Sequence, residues 1–94
     1  MKRKQEKAVA LRYHRDNDRA PRIVAKGEGS IAAKIREIAG SNGIPIHRDD
    51  ALVELLAQIE IDREIPPELY AAVAELLSWI YRANNALAKE RSLS

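Results

Sequence analysis

The segment Arg22–Ala39, RIVAKGEGSIAAKIREIA, decides the fold, because it predicts a strand, a tight turn and a helix in succession. In the strand, successive side chains alternate between the two faces of a sheet. Ile23 and Ala25 are therefore expected on one face, and Val24 and Lys26 on the other. A strand followed at once by its helix predicts a two-layer core that other segments must complete.

Two glycines and a serine mark the turn between this strand and its helix. Gly27 and Gly29 supply the backbone freedom for a sharp reversal, and the hydroxyl of Ser30 is expected to cap the helix. The helix has one apolar face with a spacing of three to four residues, formed by Ile31, Ile35, Ile38 and Ala39. Gly40 and the pair Asn42-Gly43 are expected to end it.

A second strand is predicted on the N-terminal side. Apolar residues alternate over Ala8–His14, with Val9, Leu11 and Tyr13 on one side. The polar loop Arg15–Arg19 is short enough for the two strands to pair antiparallel across it.

A third strand is predicted after the first helix, at Ile44-Pro45-Ile46-His47. Pro45 cannot donate to a ladder, so this strand is expected to be brief or to lie at an edge. Strand, helix and strand would form a right-handed βαβ crossover. The predicted fold class is thus α/β (α+β): a small mixed sheet of about three strands packed by three to four helices, in the order ββαβαα.

Two further helices complete the predicted architecture. Asp49 or Asp50 is expected to cap the second, whose apolar stripe is Leu52, Leu55, Leu56 and Ile59. Pro66-Pro67 opens the last helix, where proline is tolerated. That helix has two adjacent apolar stripes: Leu69, Val73, Leu76 and Ile80, and beside them Tyr70, Ala74, Leu77 and Tyr81. Together they are wider than one core contact needs, so part of this face is either extra core or a surface for a partner.

Composition narrows the class of protein. The chain has 94 residues, enough for one small domain, and its 46% hydrophobic content includes no phenylalanine. The absence of cysteine excludes disulfides and thiolate chemistry. No apolar run approaches the ~20 residues of a membrane span. We expect a basic disordered leader at residues 1–7, a domain at residues 8–83 and a frayed polar tail at residues 84–94.

No residue pattern indicates an enzyme, a metal site or a cofactor. Gly27-Glu28-Gly29 precedes a helix as a phosphate-binding turn would, but Glu28 would repel a phosphate. His14 and His47 have no partner at metal-ligand spacing, so both are expected to be surface residues at strand ends. No serine lies in a nucleophile elbow.

Taken together, these elements resemble the cytoplasmic C-terminal domain of the FlhB/YscU family, export-gate proteins of bacterial flagellar and type III secretion systems that switch substrate specificity. The resemblance runs in register from about Ala8 to Tyr81. It is carried by AVALRY at 8–13, APRIVAKG at 20–27, IREIA at 35–39, IPI at 44–46 and IPPELYAAVAE at 65–75.

One departure from the family concerns self-cleavage. Members have Asn-Pro-Thr-His before the Ala-Val-Ala-Leu strand with one residue between, and their cleavage depends on that asparagine. Here the matching positions hold Arg3, Lys4, Gln5 and Glu6, with Lys7 as the spacer. None of the four asparagines in the chain is followed by proline, so this chain is expected not to cleave itself.

The resemblance also implies a binding site. Members of the family carry a small apolar recess, between the Ala-Pro before the second strand and the last helix, that recognises export substrates. The matching positions are Ala20, Pro21, Ala74 and Leu77. The implied function is a non-catalytic binding module of the export apparatus, without cofactors. Its partners would be export substrates or export-gate membrane proteins. It would lie in the cytoplasm or peripherally at the inner membrane.

An alternative reading is a small nucleic-acid-binding domain. It would use the basic leader and the arginines Arg12, Arg15, Arg19 and Arg22, and its affinity would fall steeply with salt. No set of base-stacking aromatic residues supports it, so nucleic acid is not the expected partner.

Overall fold

The computed structural model describes the backbone of residues 5–14 and 16–93, and the side chains of residues 5–14 and 16–82. The strands are β1 (Lys7–Arg12) and β2 (Arg22–Glu28), and the helices are α1 (Ser30–Ser41), α2 (Asp50–Leu56) and α3 (Tyr70–Leu93). A 3-10 turn at Pro67–Leu69 leads into α3. The predicted α+β class, with its antiparallel hairpin and three helices, is confirmed.

The hairpin contains one irregularity that the alternation rule did not anticipate. Ala10 is opposite Ala25, but the next residue, Leu11, is opposite Ile23, so Val24 is an extra residue in β2. Such a β-bulge shifts the side-chain alternation by one position. Directly opposed residues share a face, so Ile23 and Ala25 lie on opposite faces of the sheet, and the prediction that they share one is wrong.

The third strand predicted at residues 44–47 is also wrong, and with it the βαβ crossover. Within the described part of the chain the sheet has two strands, and residues 44–47 form an exposed, irregular segment. The free edge of β2 is instead covered by the connector that follows α2. Ile23 donates to the carbonyl of Arg63 (3.0 Å), and Asp62 donates back to the carbonyl of Ile23 (2.7 Å).

This connector continues along the edge. Ile65 donates to the carbonyl of Pro21 (2.9 Å), and Arg22 and Glu64 form an isolated antiparallel bridge. Proline at position 45 removes one donor from the competing segment, whereas the connector supplies a donor at Asp62 and at Ile65. The connector therefore bonds to the start of the outer edge of β2, at Pro21 and Ile23, and it places Ile65 in the core at 2% exposure.

The core lies between the sheet and the C-terminal half of the chain. Its buried residues are Ala20, Ile23, Leu52, Leu56, Ile65 and Val73. The side chain of Lys26 fixes α2 against the sheet, because its Nζ donates to the carbonyls of Ala57 (3.0 Å) and Ile59 (2.8 Å) at the end of that helix. A positive charge at this end also complements the helix dipole.

Helix α1 packs differently from the prediction. Ile31 and Ile38 are 59% and 51% exposed, while Ala32 is fully buried. The sheet face beneath α1 carries small residues, with Ala25 and Gly27 in β2, so the backbones approach closely and a small side chain fills the contact. Ile31 and Ile38 therefore lie outside the core contact, whereas Ile35 and Ala39 of the predicted face are partly buried.

Of the two N-terminal helix caps predicted, the one for α1 is wrong and the one for α2 is confirmed. The N-cap of α1 is Gly29, with φ at 58°, and no side chain caps that end, so the predicted cap by Ser30 is wrong. In α2 the Asp49 carboxylate accepts a hydrogen bond from the Leu52 amide at 3.0 Å. Gly40 lies inside α1 rather than at its end, and the left-handed residue after the helix is Gly43.

The predicted domain boundaries fall at residues whose structure is described only in part. Lys7, assigned to the leader, is the first residue of β1, while residues 1–4 lie outside the described residues. At the other end α3 continues to Leu93, past the boundary placed at residue 83. The boundaries at residues 8 and 83 stay a prediction.

Candidate functional site

An apolar recess lies where the start of β2 meets α3. Its volume is about 310 Å³, near the lower limit of the ~300–1,000 Å³ typical of small-ligand pockets. All four residues predicted from the family resemblance line it: Ala20, Pro21, Ala74 and Leu77. Residues more than 50 positions apart in sequence thus share one concave surface, which the hairpin and α3 create together.

The floor of the apolar recess belongs to the protein core. Ala20, Ile65 and Val73 line it and are 3%, 2% and 1% exposed. Pro21 is also buried, and its fixed φ holds the chain entering β2 in an extended shape. Because these residues are locked by core packing, the floor is preformed.

The walls of the apolar recess are aromatic. The chain contains three tyrosines, and all three, Tyr13, Tyr70 and Tyr81, line the recess. Tyr70 and Tyr81 remain 45% and 41% exposed. Tyrosine combines a large apolar ring with a hydroxyl that stays in water or bonds to a partner, which makes it common at binding surfaces.

Sequence reasoning placed Tyr70 and Tyr81 on the second stripe of the last helix but did not assign them, or Tyr13, to the site. A signal was available, because these three residues are the whole tyrosine content of a chain whose one other aromatic residue of the Phe, Trp and Tyr type is Trp79. The position of Tyr13 beside α3 depends on the tertiary structure, since it follows β1 at the opposite end of the chain.

A second, polar recess adjoins the first and shares Arg19 with it. Its volume is about 530 Å³, and its lining residues are Asp16, Asn17, Asp18, Arg19, Arg22 and Glu64. Several of these groups already have partners: Asp18 accepts from the His14 amide at 2.8 Å, and Arg22 Nη1 donates to the Asp62 carbonyl at 2.6 Å. The side chain of Arg19 is 89% exposed, and its distance to Glu64 is 3.4 Å.

Within the described residues, no group of three or more His, Cys, Asp or Glu side chains converges as a metal site would. His47, predicted at a strand end, instead contacts Trp79 of α3, with ring centroids 5.5 Å apart. The hydrogen bond from Lys7 to Glu54 (2.7 Å) raises the pKa of Lys7, and this pair fixes β1 to α2.

Solved structures share this arrangement. The chain superimposes on the C-terminal domain of PscU with a TM-score of 0.74 and 33% identity, over 79% of this chain and 95% of that one. It superimposes on the cytoplasmic domain of FlhB from Shewanella putrefaciens with a TM-score of 0.81 and 31% identity, over 88% and 65% of the two chains. The class of protein is therefore that of the C-terminal cytoplasmic domains of export-gate proteins.

Sequence comparison gives the family. The model of the FlhB HrpN YscU SpaS family matches residues 5–80. The chain therefore belongs to this family. YlqH of Bacillus subtilis is 41% identical over 85 residues, which cover 90% of this chain and 91% of that protein. The flagellar biosynthetic protein FlhB of Escherichia coli is 43% identical over 76 residues, 80% of this chain but 20% of FlhB.

The chain thus spans about a fifth of the FlhB proteins that it matches and nearly all of YlqH. The resemblance to the FlhB/YscU family and its flagellar and type III export context are confirmed. The nucleic-acid-binding alternative is not favoured by these findings. In the part of the chain that the structure describes, no helix is both long and apolar enough to cross a bilayer.

Proposed function

We propose that this chain is a non-catalytic binding module of the flagellar or type III protein export apparatus, and that it holds segments of export substrates in the apolar recess. The observation that carries the proposal is the convergence of Ala20, Pro21, Ala74 and Leu77 on one open cavity of about 310 Å³. The cavity is preformed, apolar at its floor and rimmed by tyrosines, as transient capture of an apolar side chain requires.

The size of the recess indicates weak binding. Burial of one Leu- or Phe-sized side chain contributes ~1.5–3 kcal/mol, and backbone contacts of an extended peptide add to it. Ordering of the peptide opposes both terms. Dissociation constants of roughly micromolar to millimolar are expected. Weak, fast binding suits a module that must release each substrate for export.

Two alanines on α3 give a matched test of the recess. Ala74 lines it, whereas Ala72 is exposed and does not line it. Ala74→Asp places a charge where the apolar side chain would be desolvated, and we expect it to weaken binding of export-substrate peptides at least ~10-fold. Ala72→Asp introduces the same charge on the same helix and should leave affinity unchanged. Titration by isothermal calorimetry measures both.

Leu77→Asp serves as a second recess variant in the same titration. Circular dichroism and a thermal melt show whether each variant remains folded. Equal affinities for the wild type, Ala74→Asp and Ala72→Asp would remove the recess from the binding mechanism. A loss shared by both alanine variants would show that added negative charge, rather than the recess, reduces the affinity.

The proposal includes the absence of self-cleavage. The family reaction needs an asparagine amide as nucleophile and a following proline that prevents ordinary deamidation, whereas this chain has Arg3-Lys4-Gln5-Glu6 at those positions. Arg3 and Lys4 lie outside the described residues. Gly29 donates to the main-chain carbonyl of Glu6 at 2.8 Å, so the chain at Glu6 continues the hairpin ladder.

Intact-mass measurement tests this part directly. The purified chain should keep a single mass during incubation at neutral pH, while the cytoplasmic domain of an FlhB relative that carries the Asn-Pro-Thr-His motif should divide into two fragments under the same conditions. A break before or within β1 would contradict the proposal.

The partners and the location follow from the same proposal. Export substrates, or the membrane proteins of the export gate, would place the chain in the cytoplasm or at the inner membrane surface. Capture of gate components by the wild type but not by Ala74→Asp would link the recess to docking. If nucleic acid retained both the wild type and Ala74→Asp, and this retention fell as salt rose, the result would instead support the nucleic-acid alternative.

A further inference from the structure

The outer edges of the two strands are bonded to different extents. The outer edge of β2 is bonded to residues 62–65, through Ile23 and Pro21. No backbone partner is found for the outer edge of β1 among the described residues. An open strand edge is a row of donors and acceptors at the spacing of a further strand.

The register identifies the open groups. Gly29 donates to the carbonyl of Glu6, so Glu6 faces β2, and residues alternate along an antiparallel strand between facing the partner and facing away. Ala8 and Ala10 therefore bond to β2. The N–H and C=O groups of Lys7, Val9 and Leu11 point outward.

The edge of β1 lacks the usual protection against pairing. The strand has no proline, the bulge is in β2, and the four residues between Lys7 and Arg12 are uncharged. All residues from Lys7 to Leu11 are partly exposed, and none is buried. The charged residues of the strand, Lys7 and Arg12, stand at its two ends, so the centre of the edge carries no charge that opposes pairing.

We propose that the open edge of β1 pairs with β1 of a second copy of this chain, and that a two-fold dimer forms with a continuous four-stranded antiparallel sheet. With Val9 opposite Val9 of the second copy, Lys7 is opposite Leu11. Every outward-facing residue then meets an outward-facing residue, which is the condition for a complete ladder. The same patch serves both copies, as two-fold symmetry requires.

Charge at the ends of the strand favours this self-pairing. In the same register Glu6 is opposite Arg12 of the second copy, and the pair occurs twice by symmetry. The Arg12 side chain is exposed and makes no hydrogen bond or ion pair with the described residues. Glu6 Oε2 accepts from Arg36 at 2.9 Å, and a carboxylate has capacity for a second donor.

Charge reversal tests the register. Arg12→Glu should weaken self-association about 10-fold, because it replaces two attractive cross-strand pairs by two repulsive ones. The double variant Glu6→Arg with Arg12→Glu restores opposite charges and should recover most of the association. Arg48→Glu, an equal change of net charge at an exposed site outside β1, should leave it unaltered. Sedimentation equilibrium of the full chain measures all four proteins.

Amide hydrogen exchange locates the contact. In the dimer the amides of Val9 and Leu11 should become protected as concentration rises over a roughly hundredfold range, whereas Ala8 and Ala10 should be protected throughout. A chain that remains monomeric with fast exchange at Val9 at every concentration would overturn the proposal. So would a dimer in which Val9 stays unprotected or charge reversal has no effect. Protection that is independent of concentration and lost on removal of residues 1–4 would also overturn it, because the leader would then cover the edge.

Discussion

At the scale of single residues, glycines in this chain occupy different steric environments. A Cβ at Gly27 would overlap Ile31 Cγ2 and lie 2.8 Å from Ile31 Cβ, so α1 packs on the sheet at a distance that excludes a methyl group. A Cβ at Gly40, inside α1, would meet no atom within 4 Å. At Gly27 the absence of a side chain is needed for packing, whereas at Gly40 glycine only adds conformational entropy to the unfolded chain.

Gly27→Ala and Gly40→Ala should change stability in opposite directions. The first forces α1 away from β2 and should destabilise the fold by about 1–3 kcal/mol. The second removes the entropic cost of a helical glycine and should stabilise it by about 0.5–1 kcal/mol. Urea denaturation of both variants checks the signs. An unchanged urea midpoint for Gly27→Ala would mean that the Ile31 side chain moves aside without loss of stability.

At the scale of elements, α1 and α2 begin in different ways. Gly29, with φ at 58°, turns the chain from β2 into α1 so sharply that Ser30 is already the first helical residue. The longer approach to α2 leaves Asp49 extended at the N-cap, where its carboxylate reaches the Leu52 amide. The residue type suited to capping was present at both helices, but the backbone allows it to act at one.

Substitution at the two positions should show this difference. Asp49→Ala should destabilise the fold by about 1 kcal/mol through loss of the cap, while Ser30→Ala should stay within about 0.5 kcal/mol of the wild type. Chemical denaturation measures both, with Asp50→Ala as the control for loss of an exposed carboxylate beside the cap. If Ser30→Ala destabilised the fold as much as Asp49→Ala, the result would contradict the assignment of Gly29 as the N-cap.

At the scale of the whole molecule, stability depends on a small core that bridges the two ends of the chain. Ile23 is fully buried against residues from α2, the connector and α3. Ile38 is 51% exposed on α1. Ile23 was expected on one face of its strand and Ile38 on the apolar face of its helix, so the contrast between these two isoleucines measures what the tertiary packing decided.

Ile23→Ala should cost about 2–5 kcal/mol through lost burial and the cavity left behind, a large share of the ~5–15 kcal/mol typical of a whole domain. Ile38→Ala should change stability by no more than about 0.5 kcal/mol. Thermal and urea unfolding, followed by circular dichroism, measure the difference. Similar losses at the two sites would show that the Ile38 side chain contributes to the core after all.

Much of the fold was predictable because it depends on neighbours in sequence. The alternation at Val9 and Leu11 and the loop before Pro21 predict the antiparallel hairpin, and the spacing of Leu52 and Leu56 predicts α2. The family resemblance predicted that Ala20 and Leu77 lie at one recess, and both line it, whereas their role in binding substrates stays a prediction. The prediction that Ile31 and Ile38 face the core was wrong, because the spacing of apolar residues shows that one helix face is apolar but not whether a neighbouring element covers it.

The amino-acid sequence by itself determined the three helices, the hairpin and the family, because each depends on local periodicity or on the residues that carry the family resemblance. The tertiary structure decided which segment bonds to β2, which side of α1 is buried and how Tyr13 comes to line one cavity with Tyr70 and Tyr81 of α3. Those outcomes depend on competition between segments far apart in the chain. Residues 62–65 displace residues 44–47 from the edge of β2 because they supply donors there and bury Ile65 as well.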